Sequence, residues 1–319
     1  MHNEPTVLIL TQPLDVTADY VVDELNRRGV PVFRCDPGEF PRGLTLVAEL
    51  DAGWTGSLHL PNRELLLDDI GCAWYRRPTT FQFPDGLSTE ERRWAQHEAR
   101  LGLGGILAAL PRWLNHPCDI ARAEYKPIQL QMAHAVGLTV PPTLVTNDAE
   151  AARRFAKEHG QIVYKPLSST GVSEEGCYKL VYANRLTADD ISPTVSATTH
   201  LFQRWVDKKY EIRLTVIDDA FFAVRIDAES VDGAIDWRRD YGNLRYSVVD
   251  VPDIVRDHVR GLLDLLMLRF AALDFVVTPS GDWVFLESNP NGQFAWLQDA
   301  VGVPIAATIA DALVKETTS

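Results

Sequence analysis

Short apolar runs alternate with stretches of helical period along the chain. Thr6–Leu10 is a compact apolar run, the pattern of a buried parallel strand. Behind it Val21, Val22 and Leu25 recur at helical spacing, with Thr17 placed to cap the helix and Gly29 to stop it. Residues 31–35 read as a second strand, and residues 44–50 and 54–60 predict a hairpin around Asp51-Ala-Gly53. Ile70–Tyr75 predicts another strand, and residues 88–110 a long helix halted by Pro111. The texture changes near residues 115–119. One helix is predicted over about 119–136, ending at Gly137, with an extended Val140-Pro-Pro142 after it.

Residues 148–159 predict a short helix capped by Asn147 or Asp148, residues 161–165 a strand, and residues 166–176 a loop rich in Ser and Gly. Strands follow at 178–182, 199–206, 210–217 and 221–226, then a helix over 252–270. Residues 272–277 and 283–287 pair across Thr278-Pro-Ser-Gly281, which has hairpin turn chemistry. The fold class is therefore α/β (α+β), in three units of about 1–117, 118–206 and 207–319, each mixing helix and strand.

Composition narrows the function. A net charge of −13 argues against nucleic acid as a partner, because phosphate binding needs basic surface. No apolar run nears the roughly 20 residues that cross a bilayer, and the start has no signal-peptide pattern. The expectation is a cytoplasmic protein with no membrane partner. Cys35, Cys72, Cys118 and Cys177 are scattered, so neither a zinc site nor a disulfide framework is expected.

The strongest candidate chemistry lies in residues 273–294. Asp274 sits in one strand, and Glu287 and Asn289 end the next, so the hairpin brings three oxygen donors to one end of a sheet. Magnesium takes hard oxygen ligands and keeps positions for phosphate oxygens and water. An acid set among Leu273, Phe275, Phe285 and Leu286 is costly unless paired or metal-bound. Strand-end surface acids are the plainer reading, and the rest of the chain weighs against it.

Lys126 opens an amphipathic run, and Lys165 ends an apolar strand before Pro-Leu-Ser-Ser-Thr-Gly171. A strand-end lysine reaches phosphates, and a Ser/Gly loop supplies backbone donors over them. No Gly-x-x-x-x-Gly-Lys-Ser/Thr motif occurs, which excludes a P-loop. Leu201-Phe-Gln-Arg-Trp-Val206 runs into Asp207-Lys-Lys209, the kind of connection whose backbone holds adenine. Glu211 and Arg213 share a strand face, Arg225 ends the next strand, and Asp236-Trp-Arg238 follows. Guanidinium forks suit a transferring phosphoryl group or an acyl phosphate, although salt bridging to nearby acids would explain any one of them.

In order, these features are a helix-start lysine, Gly137-Leu-Thr-Val-Pro-Pro-Thr143, a strand lysine with its loop, the Gln203 hinge, Glu211-Ile-Arg213, and Asp274 followed by Glu287-Ser-Asn289. The ordered set resembles the ATP-grasp superfamily over roughly residues 126–292. Ile70-Gly-Cys-Ala-Trp-Tyr-Arg-Arg-Pro78, Asp236-Trp-Arg238 and Leu286-Glu-Ser-Asn-Pro-Asn-Gly292 look like elements of the graspetide (microviridin-type) maturases, most like the actinobacterial members. The family's hinge acid is replaced here by Gln203.

That resemblance implies an N-terminal pre-ATP-grasp domain, a central domain and a C-terminal ATP-grasp domain. It implies ATP and Mg2+, with Lys126 and Lys165 on phosphates or adenine, Gln203, Arg204 and Val206 at the adenine, and Asp207 or Lys208 at the ribose. Asp274, Glu287 and Asn289 would hold magnesium. Arg213, Arg225 and Arg238 would face an acyl phosphate, with Asp236 orienting Arg238 or a peptide group. Arg76, Arg77 and Glu211 become substrate candidates. The implied partner is a ribosomal precursor peptide, its leader docking near residues 179–187, and the relatives suggest a homodimer. The competing readings are an amino-acid ligase of the RimK or D-Ala–D-Ala type, and a nucleotide-binding protein without ligation activity.

Overall fold

Four of the five residues of Thr6–Leu10 are fully buried in the computed structural model, which describes residues 5–168, 171–174, 177–180, 183–230, 233, 235, 237–239 and 241–317. This strand, β1, is the centre of a parallel sheet between β2 (Val32–Cys35) and β6 (Ile70–Tyr75). Helix α1 (Val16–Arg27) follows β1. Its cap is Asp15, whose carboxylate accepts from the Ala18 N–H, and not the expected Thr17. Thr17 already lies inside the first turn, and its hydroxyl reaches Gln293 instead. The expected hairpin forms as β3 (Thr45–Leu50) and β4 (Trp54–Leu60), extended by an unforeseen β5 (Arg63–Leu66). Ser88 and Glu91 close a capping box at the start of α2 (Thr89–Ala108).

The single helix expected over 119–136 is two, α3 (Pro117–Ala123) and α4 (Lys126–Ala135). Pro127 explains the break. It cannot donate to a preceding turn but fits the first turn of a new helix, so α4 starts afresh there. Beyond it come β7 (Thr143–Thr146), α5 (Ala149–His159), β8 (Ile162–Lys165), β9 (Gly171–Glu174), β10 (Cys177–Leu180), β11 (Asn184–Leu186) and β12 (His200–Arg204). The order β11-β8-β12-β7 makes an antiparallel sheet packed on α5, and β9 pairs with β10. The proposed leader-docking stretch 179–187 includes residues 181 and 182, outside the described residues.

The last sheet carries the chemistry. Its order is β15 (Leu244–Val249), β14 (Ala220–Ala228), β13 (Tyr210–Ile217), β16 (Phe270–Val277) and β17 (Trp283–Asn289), all antiparallel. One face is a dry layer in which Ile212, Leu214, Leu273 and Phe275 pack against α4 and α6 (Asp253–Leu266). Helix α6 ends four residues earlier than expected because Met267 takes the left-handed conformation (φ 58°) and Phe270 already belongs to β16. Two unforeseen helices follow, α7 (Ala295–Val301) and α8 (Ile305–Thr317). Helix α8 returns to the N-terminal sheet, where Ile305, Ile309 and Leu313 share one apolar cluster with Val7, Ile9 and Trp74. The expected unit 207–319 thus shares its last helix with the core of the first. Among the described residues no helix is long and apolar enough to cross a membrane.

Asn115 ties the first unit to the last. Its Oδ1 accepts from the N–H groups of Arg269 (2.9 Å) and Phe270 (3.0 Å), and its Nδ2 donates to the carbonyls of Phe270 (2.7 Å) and Pro290 (3.1 Å). The side chain is buried, so no water replaces these partners readily. Asn115→Ala leaves several buried backbone groups unpaired at about 1–3 kcal/mol each. A urea unfolding titration should therefore show a loss of about 3 kcal/mol or more.

Candidate active site

Strand register decides which side chains meet. Arg213, Asp274 and Glu287 lie side by side across three strands, since Arg213 is opposite Asp274 and Asp274 is opposite Glu287. Directly opposed residues share a sheet face, so all three point away from the dry layer. Strict alternation would not achieve this, because Phe285 is buried in the dry layer and Glu287 is two residues further on. A β-bulge solves it. Phe275 pairs with Phe285 while Asp274 pairs with Glu287, which leaves Leu286 as an extra residue. The bulge switches the face, so Glu287 and then Asn289, opposite Ala272, join Asp274.

Two carboxylates on opposed positions repel each other, and each has its own cation. Arg213 Nη1 donates to Asp274 Oδ1 at 2.8 Å, with both side chains buried. Lys126 Nζ lies 3.1 Å from Glu287 Oε2 and donates to the Pro166 carbonyl at 2.7 Å. Asn289 Oδ1 accepts from the Asn291 N–H at 2.9 Å, so the Asn-Pro-Asn-Gly turn does hold the Asn289 side chain. Gly292 is required by contact. A Cβ there would sit 2.2 Å from the Ala272 methyl and 3.1 Å from Arg213 Nη2.

Above this face opens a pocket with about 820 Å³ of space, its open mouth included. Lys126, Lys165, Gln203, Arg204, Val206, Lys208, Glu211, Asp274 and Glu287 all line it, so nine of the residues singled out from sequence meet in one place. Three lysines in one pocket of a chain with net charge −13 make a local site for a polyanion. Gln203 is buried; its Nε2 donates to the Thr143 hydroxyl at 3.0 Å and its Oε1 has no donor among the described residues. Lys208 turns inward to Glu211 (2.6 Å) and the Ile235 carbonyl (3.3 Å). Asp207 is exposed and accepts from the Trp205 indole at 2.9 Å, so of the pair expected at the ribose it is Lys208 that reaches the pocket.

Other candidates sit elsewhere. Arg225 is opposite Ile212, which puts it on the other sheet face from Arg213. There it stacks over the Tyr210 ring at 4.0 Å and pairs with Asp227 at 2.6 Å. The expectation that it shares a phosphate site with Arg213 is not met, because the two differ in strand parity. Arg76 is fully buried against Trp74, its Nε donating to Asp15 at 2.7 Å. Burial pushes the Arg76 guanidinium below its ordinary pKa despite Asp15. Burial also opposes the Asp15 charge, but the Arg76 hydrogen bond and charge outweigh it and hold that carboxyl below its usual range. Arg77 is half-buried, and burial followed by the nearby Arg213 lowers its pKa, while the Asp15 charge acts the other way. Arg77 thus feels the Arg213 charge, whereas Arg76 is held within the first unit. Asp236 and the Arg238 side chain lie outside the described residues.

Sequence reasoning passed over Trp205, whose ring carries Arg185 at 3.7 Å and which lines the pocket. It also passed over Trp237, which lines the pocket and stacks on Trp296 at 5.2 Å. Both lay inside motifs noted for their charged members. The donor set fits magnesium by chemistry, being two carboxylates and an amide oxygen, all hard ligands on one face. Among the described residues, no three His, Cys, Asp or Glu side chains gather as an alternative metal site.

Residues 6–121 match the model of the MvdD pre-ATP grasp domain family. Nearly the whole chain superposes on solved ligases of ribosomal peptide maturation. A RiPP-associated ATP-grasp ligase of Chryseobacterium gregarium, solved with ADP and a leader and core peptide, is 29% identical with a TM-score of 0.89, over 98% of this chain and 97% of that one. Over nearly its whole length the chain is similar to RiPP-associated ATP-grasp ligases. The macrocyclase MdnC of Microcystis aeruginosa, solved with its precursor peptide MdnA, is 28% identical with a TM-score of 0.86, over 97% and 99% of the two chains. The D-cycloserine synthetase DcsG, at 16% identity and a TM-score of 0.62, shares the fold. No curated protein matches.

Within this ATP-grasp frame the fit of Gly292 against Arg213 and Ala272 is testable. Gly292→Ala should cost about 1–3 kcal/mol by overpacking. Ala272→Gly in the same chain should recover part of that loss, so denaturant titrations of the two single variants and the double variant should reveal a favourable coupling of about 1 kcal/mol. Strict additivity would mean that the two residues do not press on each other.

Proposed function

We propose that this chain is an ATP-dependent macrocyclising ligase acting on a ribosomally made precursor peptide. A side-chain carboxylate of the peptide, Asp or Glu, attacks the γ-phosphorus of ATP; the bond to the β–γ bridging oxygen breaks and ADP leaves. A Ser or Thr hydroxyl, or a Lys amine, then attacks the acyl carbon. Phosphate departs, and an ω-ester or an amide remains. The observation that carries this reading is that Lys126, Lys165, Gln203 and Lys208 line one pocket together with Asp274 and Glu287.

In this reading adenine lies along the 203–206 connection. Gln203 Oε1, buried with no donor among the described residues, takes a hydrogen bond from the adenine amine, which is how an amide serves where the family has an acid. The backbone of Arg204 and Val206 flanks the base, and Lys208 reaches the ribose side. Lys126 and Lys165 bind the phosphates. Asp274, Glu287 and Asn289 would hold magnesium, which when bound neutralises phosphate charge. Arg213, fixed by Asp274 and seated against Gly292, stabilises the acyl phosphate and its tetrahedral adduct. Arg77, which feels the Arg213 charge, meets the incoming peptide carboxylate, with Glu211 at the pocket wall and Asp236 and Arg238 as further peptide contacts. Arg225 has no part here, and Arg76 acts through Asp15 on the first unit.

The solved relatives support a peptide as the partner, since the Chryseobacterium ligase was captured with leader and core peptide and MdnC with MdnA. The test is co-expression with a candidate precursor peptide rich in Thr and Asp/Glu, followed by intact mass. The expected result is a peptide lighter by whole water molecules, with Glu287→Ala abolishing the loss. An unchanged peptide, with both partners soluble, would defeat the maturase reading, and a fully active Glu287→Ala would defeat the metal assignment.

A further inference from the structure

Strand β17 is the outer strand of its sheet, and on its outer side the described residues offer an isolated bridge between Thr139 and Val284 but no strand. A buried edge must find other partners. At Phe285 the N–H donates to the Thr139 carbonyl at 2.8 Å. At Ser288 the partner is a side chain, Gln129 of α4. Its Oε1 accepts from the Ser288 N–H at 2.9 Å, and its Nε2 donates to the Ser288 carbonyl at 2.7 Å and to the Ala123 carbonyl at 2.6 Å. The amide imitates the missing strand, pairing with both backbone groups of one residue.

The residue so held lies between Glu287 and Asn289. Gln129 is buried, next in sequence to Leu130 of the dry layer, where an apolar side chain would be the cheaper choice. The same helix presents Lys126 one turn earlier, and Lys126 pairs with Glu287. Both hydrogens of Nε2 are committed to carbonyls, so a carboxylate cannot substitute and a shorter amide cannot span the same partners. The bulge at Leu286 loosens the regular ladder just before this point, which makes an external clamp on Ser288 more important.

We propose that Gln129 is a positioning residue. It fixes the Ser288 backbone so that the Glu287 and Asn289 oxygens converge on one divalent cation. The proposal rests on the metal reading given above, and it assigns to helix α4 control of the metal end of the site as well as the phosphate end. Outer partners that orient metal ligands typically change metal affinity about 10- to 100-fold when removed.

The experiment measures binding rather than turnover. Manganese stands in for magnesium, and its binding to the full chain with ADP present is followed by electron paramagnetic resonance. ADP affinity without metal and the melting temperature are recorded in parallel. Gln129→Met keeps the length and loses the hydrogen bonds; Gln129→Asn keeps the amide and loses the reach, and serves if the first fails to fold. Leu130→Ala, a core truncation beside Gln129, controls for lost stability. The expected result is manganese affinity lowered about tenfold or more in the Gln129 variants, with metal-free ADP affinity retained and Leu130→Ala unchanged in manganese affinity. Wild-type manganese affinity in a folded Gln129 variant, or an equal loss in Leu130→Ala, would overturn the proposal. Glu287→Ala is run alongside. If it too binds manganese normally, the metal reading itself is wrong, which is a separate failure.

Discussion

The site depends on two like charges being held side by side. Asp274 and Glu287 are cross-strand neighbours, an arrangement that repels unless each carboxylate is countered. Arg213 counters Asp274 from β13, and Lys126 counters Glu287 from α4. These two pairs come from different layers, so the sheet, the helix behind its edge and the loop carrying Pro166 must all be in place for the carboxylates to stay close. Asn115 and the α8 helix then lock the first unit onto the strand end where the pairs sit.

Much of this was legible in the amino-acid order. The apolar strands announced themselves by run length, and the hairpin at Thr278–Gly281 by its turn residues, with the Gly281 N–H donating to the Thr278 carbonyl at 3.0 Å. Nine of the residues chosen for phosphate, adenine, peptide or metal share one pocket, because strand ends and strand connections are where such groups reach space. Sequence alternation failed where the backbone breaks its own period. The bulge at Leu286 reverses the face of everything after it, and nothing in Phe-Leu-Glu-Ser-Asn marks an extra residue. Arg225 was misjudged for the opposite reason. Its strand is regular, and its parity relative to Arg213 depends on a pairing register that one chain in isolation does not reveal.

Helices at the margins were less readable. Pro127 was visible, yet whether it kinks a helix or starts one is settled by packing, here by α3 and α4 each burying its own residues. Helix α8 was missed although Thr308, Asp311 and Lys315 mark a polar flank opposite the apolar side that meets the N-terminal sheet. Gln129 gave no signal at all. A glutamine in an amphipathic helix reads as surface until the edge of β17 arrives beside it.

The central claim is that this face transfers the γ-phosphoryl group of ATP to a peptide carboxylate. It is tested most directly by labelling the Asp and Glu side-chain carboxyls of the precursor peptide with 18O and analysing the phosphate released during ring formation by mass spectrometry. An acyl phosphate carries one carboxyl oxygen away with phosphorus when the hydroxyl or amine attacks carbon, so the account predicts one 18O in phosphate for each bond formed. Phosphate free of label, from a reaction that still closes rings, would contradict it.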